Sequence, residues 1–375
     1  MTITQPGVKN LKILVCAGGT GGGVYPALAV LKKLTNKYPD VEPLWVGGIG
    51  GMEAELVKRE GIPYAEIPAA GIHGINLLRL PKNILTILKG IQEAKRILAE
   101  FKPDVLFFTG GFVAFPMAYA SKQLPSLMFV PDIEPGMSLK SIQGVVSQIA
   151  VIHERSIQFF KDKTKCVITG YPLRESMRRW SKEEFRSFFN IHTKQKVLLV
   201  FGGSKGARSL NRAVMRHINE LLTYTELIHI TGELDWFEVE SFKRSLPARL
   251  VAQYHIYPYL HEEMAGALSA ADLVVSRAGA SVLGEFPEFQ LPALLVPYPY
   301  AWRYQKVNAE VLVERGAAKI IPDERLDSIL ALEVKSLVSN PAQLNVMARA
   351  MSSMRVPDAA ERMADLLYAL PGGKQ

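Results

Sequence analysis

Cysteine is almost missing from this chain of 375 residues: there are two, Cys16 and Cys166, each in an apolar run that reads as a strand. Two thiols so placed make neither a disulfide framework nor a metal site, and they read as free thiols of a reducing compartment. No apolar run reaches the roughly 20 residues that a membrane span needs. The most apolar stretch, residues 105–120, is broken by Gly110, Gly111 and Pro116. The N-terminal MTITQPGVKN lacks the charged-then-apolar layout of a signal peptide, so a cytosolic protein that touches a membrane is the expectation. There is no Asp-x-Asp pair to suggest metal assistance, and neither metal nor cofactor is expected. Acidic residues are also in short supply, 36 against 44 Lys plus Arg. The excess favours anionic partners such as phosphorylated ligands, acidic lipid surfaces or nucleic acid, without choosing among them.

What is present suits two globular domains: 48% of residues are apolar and 21% charged, with length enough for two cores. KILVC (12–16), PLWVGG (43–48), VLFFTGG (105–111) and SLMFVP (126–131) alternate with helical patterns, the first running from Pro26 to Lys37. Short runs that are apolar on both sides belong in a parallel sheet covered on both faces. The class is α/β, doubly wound. At KVLLVFGGSKGARSLNRAV (196–214) the pattern of strand, glycine loop and helix restarts. The expected organisation is a Rossmann-like domain over 1–175, a linker over 176–194 and a second Rossmann-like domain over 195–355, facing each other across a cleft. The segment 356–375, with DAAERMADLLYAL, is a final helix that either domain could claim, packing back on the first.

The stretch CAGGTGGGVYPALAV (16–30) sets five glycines just before a helical pattern. A loop without side chains lets backbone N–H groups approach an anion, and the helix dipole adds to the attraction. The bland reading is a tight turn with no ligand. Two such loops, each heading a similar domain, favour a phosphate or diphosphate cradle. A dinucleotide fingerprint starting at Gly19 would need glycine where Val24 stands. It would also need an acidic residue where the second strand ends in Gly47 and Gly48, which argues against NAD. Neither loop ends in Gly-Lys-Ser/Thr, which argues against ATP hydrolysis.

AGGTGGGVYPALAV, FTGGFVAFP, ITGYPLR, FGGSKGARSLN, SRAGASVLGEF and LPALLVPYPYAWRYQKVNAEVL follow one another in this order. Together they resemble the MurG-type glycosyltransferases, over residues 12–322. The resemblance implies a GT-B fold and transfer of N-acetylglucosamine, with inversion, from UDP-GlcNAc to the lipid-linked muramyl-pentapeptide (lipid I), at the cytoplasmic face of the membrane. The implied partners are UDP-GlcNAc, that lipid-linked acceptor and an anionic membrane surface, with no nucleic acid. The donor is expected mainly on the second domain and the acceptor on the first. Carried over by motif, Thr20, Gly21 and Gly22 belong to the first cradle and Ser204 meets a donor phosphate. Arg174 counters diphosphate charge. Glu285 accepts from the ribose hydroxyls, with Ala280, Ser281, Val282, Leu283 and Gly284 lining the same site. Gln305 holds hydroxyls of the sugar ring, and His261 stands where the family contacts uracil through backbone groups.

The chain departs from the family in its first domain. Members usually read GGTGGH, with the histidine a proposed base, and here that position is Gly23. The family's HEQN aligns with Phe129, Val130, Pro131 and Asp132, ahead of Pro135-Gly136. A displacement at the anomeric carbon benefits from a base near the incoming hydroxyl. Asp132 is the candidate replacement and Glu134 the lesser one; burial would raise either carboxylate toward a useful range. The bland reading is a turn or cap. These departures leave three alternatives open: another lipid acceptor such as a diacylglycerol, a UDP-GlcNAc 2-epimerase of the same fold, and a lipid-carrier-binding protein without catalysis.

In GIHGINLLRLPKNILTILKG (71–90), Ile75, Leu77, Leu78 and Arg79 form the expected membrane-contacting segment. From about Lys82 onward the pattern reads in part as an ordinary core helix. Asp323, Glu324 and Arg325 read as a solvated loop, and His153 and His229 as structural.

Overall fold

A computed structural model describes residues 10–18, 21–51, 53–71, 80–177, 180–191, 194–203, 206–300 and 304–373. Among them every strand pairing is parallel, and the strands make two sheets. The first comprises β1 (Leu11–Cys16), β2 (Val41–Gly48), β3 (Tyr64–Ile67), β4 (Val105–Phe108), β5 (Ser126–Val130), β6 (Gln148–Val151) and β7 (Cys166–Ile168), in the order β3-β2-β1-β4-β5-β6-β7. The second comprises β8 (Lys196–Phe201), β9 (Thr225–Ile230), β10 (Tyr254–Tyr257), β11 (Leu273–Ser276), β12 (Ala293–Leu295) and β13 (Ala318–Ile320), in the order β10-β9-β8-β11-β12-β13. In both, the chain starts in the middle, winds outward one way, then crosses back to wind the other. This is the doubly wound topology, with its switch point beside β1 and again beside β8.

The chain divides into two units, Met1–Arg174 with Val356–Gln375, and Glu175–Arg355. In the first, Leu14, Leu106, Phe108, Met128 and Val130 pack under Met117, Leu139 and Ile142, with Cys16 among them. Burial pushes the Cys16 thiol far up, so it remains protonated and inert. The helix Ala359–Ala369 packs along the helix Gly21–Lys37. There Lys37 bridges Glu361 and Asp365, and Tyr38 stacks on Tyr368 at 3.7 Å. In the second unit, Leu198 and Val200 of β8 pack with Leu210 and Val214 of the helix Arg208–Arg216 and with Leu330 and Val334 of the helix Leu326–Val338. The helix Lys182–Phe188 is tied to it through Asp272, which pairs with Lys182 at 2.7 Å and Arg186 at 2.6 Å and accepts from the Val197 N–H. Burial opposes the charge on Asp272, yet these partners outweigh it and hold the carboxyl below its ordinary value.

Two expectations are corrected here. The first helix begins at Gly21, not Pro26. Gly21, Gly22 and Gly23 are its opening turn, because the first N–H groups of a helix need no intrahelical partner and tolerate residues with no side chain to pack. The helix Leu80–Phe101 is not an ordinary core helix. It buries Gly90, Ala94 and Ile97, while Ile84, Leu85 and Leu88 face solvent beside Lys82 and Lys89. Ile75, Leu77, Leu78 and Arg79 lie outside the described residues. Among the described residues no helix is long and apolar enough to cross a membrane.

Candidate active site

In a doubly wound sheet the ligand crevice lies beyond the carboxyl ends of the strands at the switch point. In the first unit that edge carries the segment after β1 and the Thr109-Gly110-Gly111 turn after β4. A Cβ on Gly18 or Gly51 would collide with the carboxylate of Glu53, which is buried and accepts from the Gly48 N–H at 3.0 Å. These glycines therefore leave room for a buried carboxylate. Thr109 donates through Oγ1 to the Gly23 carbonyl at 2.8 Å. A side chain at position 23 would start 3.1 Å from the Thr109 carbonyl oxygen, so an imidazole there would need this turn to give way slightly.

Of the proposed bases, Asp132 is half-buried, just beyond the end of β5. Glu134 is buried and pairs with Lys140 at 2.9 Å. Arg174 lies over the ring of Tyr25, its guanidinium carbon 4.2 Å from the centroid. That ring in turn covers Gly21, where a Cβ would sit 3.1 Å from it. Thr20 lies outside the described residues. Phe112 is exposed and covers Gly71, whose carbonyl accepts from Asn83 of the helix Leu80–Phe101 at 2.6 Å.

In the second unit the matching edge carries the loop after β8 and the Arg277–Ser281 turn after β11. Gly206 has φ +77°, and a Cβ there would strike the Thr231 carbonyl, so the loop turns back where only glycine fits. The helix Arg208–Arg216 follows, its positive end toward the loop. Ser204 lies outside the described residues. Ala280 and Ser281 form a turn, and Val282, Leu283, Gly284 and Glu285 begin the helix Val282–Phe289. Glu285 is half-buried. Gln305 accepts from the Tyr298 N–H through Oε1 at 2.8 Å. His261 is exposed, its N–H donating to Glu263 Oε2 at 3.2 Å and its ring edge-on to Tyr259.

The structure adds residues that the motifs contain but sequence reasoning passed over. Asn308, fully buried, donates to the Ala278 carbonyl at 3.1 Å and so fixes the turn after β11. Arg277 is buried and hydrogen-bonded to Ser209, Val296 and Asp323. Asp323 is thus no solvated loop residue, a correction whose cause is the buried guanidinium it neutralises. Asn211 joins Thr231, Asp235 and His229. An asparagine at a buried position of a motif helix, in RSLN and in KVNA, was the available signal. Among the described residues no group of three or more His, Cys, Asp or Glu side chains could hold a metal ion.

The glycosyltransferase family 28 N-terminal domain matches residues 13–131, and the family 28 C-terminal domain matches residues 197–363. The UDP-N-acetylglucosamine–N-acetylmuramyl-(pentapeptide) pyrophosphoryl-undecaprenol N-acetylglucosamine transferase of Roseiflexus sp. (strain RS-1) is 34% identical over 97% of this chain and 96% of its own. The enzyme of the same name from Bacillus subtilis (strain 168) is 33% identical, covering 96% and 99%. The crystal structure of MurG from Acinetobacter baumannii superposes with a TM-score of 0.75 at 26% identity, over 96% of this chain and 99% of that one. Similarity at this level across both sheets and both glycine loops shows that the chain belongs to glycosyltransferase family 28, among its MurG-type enzymes.

Proposed function

We propose that this enzyme transfers N-acetylglucosamine from UDP-GlcNAc to the undecaprenyl-pyrophosphoryl N-acetylmuramyl-pentapeptide, with inversion at the anomeric carbon. The observation that carries this reading is near-full-length similarity to curated relatives named for that reaction. The donor lies on the second unit: the glycine loop after β8 and the positive end of the helix Arg208–Arg216 take the diphosphate with Ser204. Glu285 accepts from the ribose, and Gln305 holds the sugar. Gln305 keeps its amide N–H₂ for this, since its Oε1 is occupied by the Tyr298 N–H. Arg174, held on Tyr25, offers positive charge to the diphosphate as UDP leaves.

The acceptor lies on the first unit, and Asp132 takes its hydroxyl proton. Glu134, which pairs with Lys140, is the lesser candidate because it falls outside the positions that align with the family's HEQN. The work is done at the cytoplasmic face of the membrane. Exposed Ile84, Leu85 and Leu88, flanked by Lys82 and Lys89, support contact with an anionic lipid surface, and exposed Phe112, which lies against Gly71, adds apolar surface. Incubating the enzyme with labelled UDP-GlcNAc and, in parallel, lipid I or diacylglycerol tests the reading. Label in lipid II is the expected result; label in a glycosyl-diacylglycerol, or in neither lipid, would overturn it.

A further inference from the structure

Arg277 stands where three segments of the donor side converge. It directly follows β11, and its side chain is only 9% exposed. One guanidinium nitrogen donates to the Val296 carbonyl at 3.1 Å and to Asp323 Oδ1 at 2.6 Å. The other donates to Ser209 Oγ at 2.8 Å, and Ser209 donates to the same Asp323 oxygen at 2.8 Å. The triangle of Arg277, Ser209 and Asp323 is closed, each pair joined by a hydrogen bond. Ser209 belongs to the first turn of the helix Arg208–Arg216, directly after the glycine loop. Val296 leads out of β12 into the segment that holds Gln305. On this outgoing segment the ring of Tyr298 lies 5.3 Å from the guanidinium carbon, and the Tyr298 N–H is bonded to Gln305 Oε1 at 2.8 Å.

One buried cation therefore links the helix that follows the phosphate loop to the segment that carries the sugar-binding glutamine. A planar guanidinium can serve this many partners in fixed directions, and an ammonium cannot. Burial makes the linkage stiff, because any partner that moves leaves a buried polar group unmatched. The contacts of Arg277 run to Ser209, Val296, Asp323 and Tyr298, so its influence on the donor passes through Ser209 and through Tyr298 to Gln305.

We propose that Arg277 is a positioning residue for the donor sugar, setting Val296, Tyr298 and, through Tyr298, Gln305 against the first turn of the helix Arg208–Arg216, so that the diphosphate and the N-acetylglucosamine of one UDP-GlcNAc are held in register. This rests on the donor assignment made above. In that assignment the sugar contact is made by Gln305, whereas the diphosphate is taken by the loop after β8 and the helix that follows it. Loss of the linkage removes what the sugar adds to binding and misplaces the anomeric carbon.

Calorimetric titration of the full chain with UDP and with UDP-GlcNAc, together with kcat, tests this in Arg277→Lys and Tyr298→Leu. Arg277→Lys is expected to leave the UDP affinity within about 2-fold while lowering kcat by about 10- to 100-fold, the scale of a misplaced reacting group. The advantage or penalty that the sugar confers on binding shifts at the same time. Tyr298→Leu lies at an accessible position and retains the buried triangle. It is expected to move kcat and the UDP-GlcNAc to UDP affinity ratio in the same direction by a smaller factor, and to add nothing in the Arg277→Lys background. Should Arg277→Lys not fold, Tyr298→Leu alone decides. A folded variant with unchanged kcat and unchanged affinity ratio would overturn the inference, as would equal losses for UDP and UDP-GlcNAc. Glu285→Ala is the control: if it leaves UDP binding intact, the donor assignment itself fails, independently of Arg277.

Discussion

His229 is held neutral by its surroundings. Asn211 donates through Nδ2 to Thr231 and Asp235, so its Oδ1 accepts from His229 Nε2–H, and His229 Nδ1 accepts the Tyr254 hydroxyl. Burial lowers its pKa from 6.5 to about 3. The unfolded chain takes up a proton below pH 6.5 that the native chain refuses, so stability is full above that pH and is lost as the pH falls toward the folded value. Between pH 6.5 and 5 the loss from this residue reaches about 2 kcal/mol. Urea unfolding at the two pH values is expected to show it in the wild type, with the gap between wild type and His229→Gln narrowing toward acid. A pH-independent gap would show that the imidazole does not titrate on unfolding. Asp132 raises a different question, because its environment is half-open. As the base, Asp132→Asn lowers turnover about 10²- to 10⁴-fold with donor affinity retained; turnover near that of the wild type would remove it from the mechanism. Glu53 and Arg277 could not be picked out from sequence for one physical reason: each acts by burial among segments distant in the chain.

At the level of elements, helix ends and faces carry most of the consequence. The helix Val282–Phe289 closes on Gln290, whose backbone is left-handed at φ +54°. A side chain there costs energy that glycine avoids, so Gln290→Gly is expected to stabilise the chain by about 0.5–1 kcal/mol. A fall in the thermal midpoint would show that the glutamine side chain contributes more than its backbone costs. The helix Leu80–Phe101 turns Ile84, Leu85 and Leu88 outward. Vesicle sedimentation is expected to show binding to anionic membranes that weakens with salt and drops sharply in Leu85→Ser with Leu88→Ser. Each basic residue removed nearby costs about 1 kcal/mol. Binding that survives both serines would place the lipid contact elsewhere. The helix itself was legible as an apolar repeat, but periodicity alone does not tell an apolar face that packs on a sheet from one that packs on nothing. Strands were read more closely: KILVC, VLFFTGG and SLMFVP anticipate β1, β4 and β5 within a few residues, because strands covered on both faces have to be apolar throughout.

For the whole molecule, the doubled pattern of strand, glycine loop and helix announced two sheets of one topology, and the observed strand orders have that form. The motifs GGSKGA and ASVLGE, proposed to take the donor, were legible because each is a short contiguous stretch. What joins them, the triangle of Ser209, Arg277 and Asp323, draws on positions 114 residues apart at its widest. The division of the chain carries a consequence for its birth on the ribosome. The second unit, Glu175–Arg355, is one uninterrupted stretch, whereas the first needs both Met1–Arg174 and Val356–Gln375. Synthesis proceeds from the N-terminus, so the later-made unit has all its parts first, and the earlier-made one waits for its closing helix. In ribosome-stalled chains whose emerged portion ends near Arg355, protease is expected to spare the second sheet while still cutting the helix Gly21–Lys37 near Lys37 and Tyr38, the side that Glu361, Asp365 and Tyr368 later cover. Equal protection of both would mean that the first unit closes without its last helix. Otherwise the first unit to begin is the last to finish, and its window of exposure lasts as long as the translation of the other.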